Sequence, residues 1–454
     1  MKPSLNPSGS APAGCWPRRA IVALTLWAAT AAFPAAPAPL PPGPFDLAGS
    51  LTFALDNNFT IRQARERIRQ QEGVEIQVQA RQIPNVAANG AYTGNAQQIS
   101  RYSPASSNDW SLAIELRQVL FAGGGVRSSV RGARLTREAA MAELEGVINQ
   151  QLLAVRTQLY GVLLAREKIS VQEESVKLLE QQLKDAKSRF AAGTTSNFEV
   201  LRAEVALANG QPPLIQARND YRITLEQLRQ VLGYRGGPQT EAAAEITGSL
   251  EAGPEVTFQL SDALAAARAN RPELRQLARL VEAGEQGVRT SRAGYFPEVD
   301  LVGGYDWTRG PLVAAWSQRR EGWIGGVQAQ WNIFDGRATG GRVRQARSQL
   351  EQAKLSLAET SLGVEVQVRQ AYSSLVEAWE LVQASGKTAE QGQEALRLAN
   401  VRYSAGTATQ LDVLTSQVAL TEARLNQLQA YYGYNVALAA MRQAIGQADE
   451  FIRR

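Results

Sequence analysis

The sequence predicts an exported membrane protein of mixed α and β structure, made of two similar halves. Three observations carry that expectation. The N-terminus has the layout of a secretory signal. A short motif recurs far downstream, "RFAAGTTSNFEVL" from Arg189 and "RYSAGTATQLDVL" from Arg402, and the offset between them holds along nearly the whole chain. Within each half the apolar period switches from helical to two and back to helical.

The first segment, residues 1–35, is read as the signal. Arg18 and Arg19 precede the apolar run "AIVALTLWAATAAF", and a stretch of small residues and prolines follows. Ala29-Thr30-Ala31 is one possible cleavage site among several. Removal of Lys2, Arg18 and Arg19 lowers the formal charge from +5 to +2. The basic isoelectric point is then no argument for nucleic acid, which needs a basic patch or stripe. Cys15, the only cysteine, leaves with the signal, and "PAGC" lacks the preceding apolar run of a lipidation site. Without cysteine there is no disulfide, thiolate metal site or sulfur nucleophile. Histidine is absent altogether, which removes the commonest general base and metal ligand. No catalytic residues, cofactor or metal are expected, and the chain is not read as an enzyme. After the signal no apolar run reaches eighteen residues, so no membrane-crossing helix is expected; a β-barrel gives much weaker signals and stays open.

The two halves are read as 45–233 and 258–446, joined by a linker at 234–257. Phe45 pairs with Phe258, Arg62-Gln63 with Arg275-Gln276, Pro84 with Pro297, Tyr92 with Tyr305, Phe121 with Phe334 and Gly233 with Gly446, all without a gap. Each half should open with one helix, about 51–83 and 264–296. Each should continue, after the strands, with a long helix at about 126–190 and 339–403. The seam Ile148, Leu152, Val155, Leu159, Val162 follows alternate steps of four and three, and a second stripe (Val147, Ala154, Leu164) lies beside it. No proline occurs between 105 and 211 or after 312. Roughly 65 uninterrupted residues span on the order of 100 Å, too long for an ordinary globular domain. Two apolar seams let a helix touch neighbours on both sides, which suits a ring of helices. Return helices follow at 197–233 and 410–446. The opening and return helices together match the length of the long one, so they can stack end to end against it.

Four strands stand between the helices. "WSLAIELRQVLF" puts Trp110, Leu112, Ile114 and Leu116 on one face, with Ser111, Ala113, Glu115 and Arg117 on the other. "WIGGVQAQWNIF", residues 323–334, alternates likewise, and 85–95 and 298–308 supply the partners. Tyr92, Trp110, Tyr305, Trp307, Trp323 and Trp331, near the strand ends, fit an aromatic girdle in lipid. Pro84 and Pro297 end the preceding helices. Long polar loops, "AQQISRYSPASSND" and "RGPLVAAWSQRREG", join the strand pairs. Four strands cannot close a membrane barrel, and open edges do not survive in lipid. Two copies would supply eight strands and three would supply twelve; the count alone does not choose. The alternative is a soluble coiled-coil scaffold or adaptor with two small hairpins. The glycine run "FAGGGVRSS" lacks the ending of a phosphate-binding loop and is read as a strand-to-helix corner.

The doubled layout, "ANRPEL" at 269–274 and the paired arginine-aromatic–Gly-Thr turns resemble the TolC-type outer-membrane efflux family over essentially the whole mature chain. That resemblance implies a homotrimer in the outer membrane of a Gram-negative bacterium, seated among outer-membrane lipid. It implies a twelve-stranded barrel continued by a twelve-helix tunnel across the periplasm. It implies a passive exit duct of a tripartite efflux or type I secretion system, with a periplasmic adaptor and an inner-membrane pump as partners. The paired turns become hairpin tips, and Gly193, Thr194, Gly406 and Thr407 the adaptor-docking residues. Glycine suits the turn, and Thr194, Thr195, Ser196, Thr407 and Thr409 are able to cap the returning helices. Asp412, with Glu199 as its match in the first half, would line the periplasmic mouth, Tyr403 would constrict it, and Thr415 would stand beside it. Asp412 also suits the helix dipole. The chain departs from the family pattern at Thr415, where a second acid is usual, and at Ala408, where a basic residue is usual. A latch built on those charges is therefore not expected.

Overall fold

The computed structural model describes residues 46–94, 108–234, 246–309 and 320–447. The signal, most of both polar loops and residues 235–245 of the linker lie outside the described residues. The order is α1 (Leu47–Asn57), α2 (Phe59–Gln79), β1 (Asn85–Gly94), β2 (Asn108–Ala122), α3 (Gly125–Ala191) and α4 (Asn197–Leu232). It continues with α5 (Leu260–Asn270), α6 (Pro272–Arg292), β3 (Glu298–Arg309), β4 (Arg320–Gln330), α7 (Ala338–Ser404) and α8 (Gln410–Ala444). The first bounds of α1, α2 and α3 recur 213 residues on, Gly125 becoming Ala338.

Helices α3 and α7 are each 67 residues long, about 100 Å of unbroken helix. Their heptad positions form the core. Leu152, Val155, Leu159 and Val162 are buried with Leu51, Leu228, Ile246 and Leu250. Val368, Leu375 and Val382 are buried with Tyr434 and Met441. Each such side chain withdrawn from water contributes roughly 1.5–3 kcal/mol. Helix α3 packs on α2, α4, α6 and α8, while α7 packs on α6 and α8. Apolar residues stay exposed on the outermost elements: Leu355, Leu362 and Val366 on α7, and Ile76, Phe198 and Ile215 on α2 and α4.

Each opening helix is broken in two, where the sequence suggested one. In the first half Asn58 makes the break: its side chain accepts from the backbone N–H of Thr60 (2.8 Å) and Ile61 (3.1 Å), starting a new helix. Its amide donates to the Val231 carbonyl (2.6 Å), fastening the end of α4 to the break. In the second half Pro272 sits at the first position of α6 and holds Arg271 extended. Arg271, 5% exposed, donates to the Gln443 carbonyl and lies 3.2 Å from Glu273. The linker is tied to the helices: Arg166 donates to the carbonyls of Ile246 and Gly248, and the Tyr434 hydroxyl donates to the Pro254 carbonyl. Pro212 and Pro213 lie inside α4. The carbonyls of Ala208 and Asn209 therefore lose their helical donors, on the exposed side of the helix.

The strands form one antiparallel sheet in the order β1-β2-β3-β4. Strict alternation gives it two unlike faces. Val86, Leu112, Ile114, Leu301, Tyr305 and Val327 share one face; Asn89, Ser111, Glu115, Arg117, Asp300 and Gln328 share the other. On the polar face Asn89 donates to Glu115 (3.1 Å), and Arg117 donates through Nε to the buried Asp300 carboxylate at 2.8 Å. Neither β1 nor β4 has a second partner strand among the described residues. Strand β4 also ends at Gln330, four residues short of the expected Phe334. The matching stretch of β2 is held to Ala122 by β3, with a bulge between Val119 and Phe121; residues 331–334 have no such neighbour.

Candidate functional site

The two hairpin tips lie side by side and are built alike. Helix α3 ends in a left-handed Gly193, φ 72°, and α7 in Gly406, φ 76°. In the first tip Gly193 N–H donates to Phe190 O and Thr194 N–H to Arg189 O, both 2.9 Å. In the second, Gly406 donates to Tyr403 O (3.1 Å) and Thr407 to Arg402 O (2.9 Å). This double bond pair satisfies the last helical carbonyls and requires a left-handed residue. Space around both glycines is open, so the requirement is conformational rather than steric.

The threonines do less for the returning helices than the sequence suggested. The hydroxyls of Thr194 and Thr407 donate backwards, to Arg189 O (2.9 Å) and Arg402 O (3.1 Å), and close the outgoing helices. Ser196 occupies the cap position of α4 without a side-chain cap bond. Thr409 alone caps as expected, in a reciprocal box with Asp412. Asp412 Oδ2 accepts from the Thr409 N–H (2.7 Å) and hydroxyl (2.8 Å). Those bonds, helped by the charge of Arg402, hold its carboxyl below the ordinary carboxylate range. Asp412 and Thr415 are exposed; the Thr415 hydroxyl donates to its own helix at Leu411 O (2.8 Å).

Contacts between the hairpins join residues far apart in sequence. The Arg189 guanidinium lies over the Tyr403 ring, 4.6 Å from its centre, a cation–π contact. The Gln410 amide, oriented with nitrogen towards Glu199, donates to that carboxylate (2.6 Å) and to its backbone carbonyl (3.1 Å). Above the tips the buried Gln417 donates to Ser175 O (2.9 Å) and accepts from Gln182 (2.7 Å), and Arg424 pairs with Glu174 (2.6 Å). Glu199 and Tyr403 thus belong to the seam between hairpins. Gln410 and Gln417 were not singled out by sequence, and Arg189 only as part of the repeated motif, not for this contact; a glutamine at an otherwise apolar helical position was the available signal.

At the other end, Tyr92, Trp110, Tyr305, Trp307 and Trp323 gather in the sheet's half remote from the long helices. Tyr305 lies 4.5 Å from Trp307 and 5.0 Å from Trp323, ring centre to ring centre. Trp331 stands at the opposite end, just past β4, its indole N–H donating to Tyr295 O (3.1 Å). Among the described residues no helix is long and apolar enough to cross a membrane, and no cluster of potential metal ligands occurs.

Comparison with known proteins agrees with this architecture. The chain is 25% identical over 419 residues to the outer membrane efflux protein BepC of Brucella suis, covering 88% of this chain and 85% of that one. It is 27% identical over 397 residues to the cobalt-zinc-cadmium resistance protein CzcC of Cupriavidus metallidurans, covering 85% and 86%. Its fold matches the CmeC outer membrane channel of Campylobacter jejuni with a TM-score of 0.77 at 16% identity, over 89% of this chain and 87% of that one. The family described as outer membrane efflux protein matches twice, at residues 51–234 and 263–447, and the chain belongs to that family.

Proposed function

We propose that this chain, an outer-membrane efflux protein, assembles as a homotrimer and serves as the exit duct of a tripartite efflux or type I secretion system. One observation carries the reading. A four-stranded sheet with one apolar and one polar face, and with both edges unpaired among the described residues, continues directly into helices about 100 Å long. Three copies would close a twelve-stranded barrel, apolar outwards and polar inwards, and so remove the edges that lipid forbids. The same closure would cover the apolar residues left exposed on α7, α2 and α4, leaving a ring of twelve helices below the barrel.

The duct would do no chemistry. An inner-membrane pump would supply the energy and a periplasmic adaptor would connect the two, docking at the tips around Gly193, Thr194, Gly406 and Thr407. Asp412 and Glu199 would place repeated carboxylates around the mouth, with Tyr403 narrowing it and Thr415 at its side. Such a ring concentrates negative potential and favours cations. The aromatic cluster of the sheet, with Trp331 at its far end, would sit at the two lipid interfaces. Residues 1–35 would be cleaved, and the described part of the linker, 246–257, would brace the helices from outside.

The test is single-channel conductance of the purified mature protein in a planar bilayer, beside Asp412→Ala. Stable cation-selective openings, less selective in the variant, are expected. Openings whose selectivity ignores the variant would reduce Asp412 to a helix cap. A chain that stays soluble and never inserts would overturn the duct.

A further inference from the structure

We infer that the corner where β4 turns into α7 is a binding site for the phosphate of a membrane phospholipid, whose acyl chains would lie along the apolar face of the sheet. The site rests on the outer-membrane duct proposed above and adds a ligand to it. Between the end of α6 and the start of α7 lies an open cavity of about 600 Å³. Trp331 and Ile333 form its wall towards the sheet, and Tyr295 closes one side. Towards the helix its rim carries Arg337 and Arg344, with Gly340 and Gly341 between them.

The positive charge of that rim is not balanced by the chain. Asp335 also lines the cavity, and Arg342, 3.9 Å away, offsets it. Asp335 accepts from the Thr339 N–H (2.7 Å), so the first turn of α7 is already capped from within. Arg337 and Arg344 are exposed, and among the described residues neither guanidinium has an acidic partner. A guanidinium fork matches a pair of phosphate oxygens and binds them in bidentate fashion.

The backbone singles out the same place. Among the described residues Arg337, φ 71°, is the only non-glycine in the left-handed region, and its counterpart in the first half is Gly124, φ 80°. An L side chain resists that conformation, and strain of this kind collects where ligands are held. Other exchanges at the 213 offset act together with it. Gln82 and Gln118 of the first half become Tyr295 and Trp331, and Arg127 and Ser128 become Gly340 and Gly341. The floor is thereby cleared: a Cβ added at Gly341 would meet nothing within 4 Å, and one at Gly340 only the Tyr295 hydroxyl, at 3.5 Å.

Position selects a lipid over a free ion. The cavity stands at the end of the sheet remote from the Tyr305, Trp307 and Trp323 cluster, level with the second lipid interface of the proposed duct. Trp and Tyr collect at that depth, and arginine there keeps its head group among phosphates. Val327, Trp331 and Ile333, at alternate positions, are 65%, 58% and 84% exposed. They lead from the rim onto the apolar face. Closing the barrel would occupy the edge of β4, in the plane of the sheet, and leave this face to lipid. A phosphate ion alone would use the arginines and leave the apolar wall in water.

Native mass measurement of the purified mature oligomer, delipidated and titrated with dioleoylphosphatidylglycerol in detergent, counts copies and bound lipids together. A lipid on each copy is expected. Dioleoylglycerol, which lacks the phosphate, should not bind. Arg337→Gly with Arg344→Gln should weaken binding by about tenfold or more, whereas Arg131→Gln, at the matching place in the first half, should leave it unchanged. Arg337→Gly restores the glycine of the first half and should keep or raise the melting temperature, which separates loss of lipid from loss of folding. Arg344→Gln alone, on an exposed helix face, decides if the pair fails to fold. An intact oligomer whose lipid count ignores the arginine changes, or that binds dioleoylglycerol as well, would overturn the site. Displacement of the lipid by an equal concentration of inorganic phosphate would make it a site for the free ion and overturn the lipid. A single copy that never enters a bilayer would overturn the duct, and the site with it.

Discussion

Asp412 is a helix cap, and in the proposed duct it would also be a charge at the mouth; pH would separate the two duties. Its carboxyl is held below the ordinary range by the Thr409 bonds and by Arg402. A depressed folded value means that its capping stabilisation is complete above the unfolded value, about 3.9, and is lost as pH falls through the lower folded value. Protection of the first turn of α8 against hydrogen exchange, relative to the intrinsic rate at each pH, should therefore be flat through neutral pH and fall only in strong acid. Thr409→Ala removes the reciprocal cap and should destabilise that turn by about 1 kcal/mol, about a fivefold rise in exchange where opening is a rapid pre-equilibrium. Gly406→Ala forces a Cβ into a left-handed turn and should cost about 1 kcal/mol at the end of α7 without disturbing packing, since nothing stands near the added atom.

The elements were legible to the degree that their signals repeat. Heptad seams and alternating strands recur many times, so errors in single positions do not matter, and both long helices were found within about a turn. The breaks at Asn58 and Arg271 rest on one side chain each, although "ANRPEL" held the proline in plain view. The tip contacts were illegible for another reason. Gln410 and Glu199 are far apart in sequence, and nothing local marks one as the partner of the other. The β4 end was read as strand to Phe334 and is not: residues 331–334 keep the alternating pattern but have no strand neighbour among the described residues. Asn58→Ala should loosen α2 and the end of α4 together, because one buried side chain caps the first and holds the second through Val231. The loss should be about 2 kcal/mol, a cap plus an orphaned carbonyl, visible as paired loss of exchange protection in both helices. In the second half Arg271 occupies the position that matches Asn58, and its side chain makes a similar tie, one residue earlier, to Gln443.

At the scale of the whole molecule, the exposed apolar residues of α7 distinguish folding from assembly. Leu362 is 66% exposed in the single chain. Leu362→Arg should leave the helices formed, as circular dichroism would register, while the oligomer dissociates in native mass measurement. A variant that stays fully assembled would remove this flank from the interface. The length of α3 and α7 has a further mechanical consequence. Each is a single stiff lever running from the sheet to a tip, with no proline along it. Over about 100 Å, a tip displacement of about 5 Å needs a tilt of only about 3°. In the proposed duct a mouth at the tips would therefore widen by the width of a small ion while the sheet end turned by less than the ordinary twist between two strands.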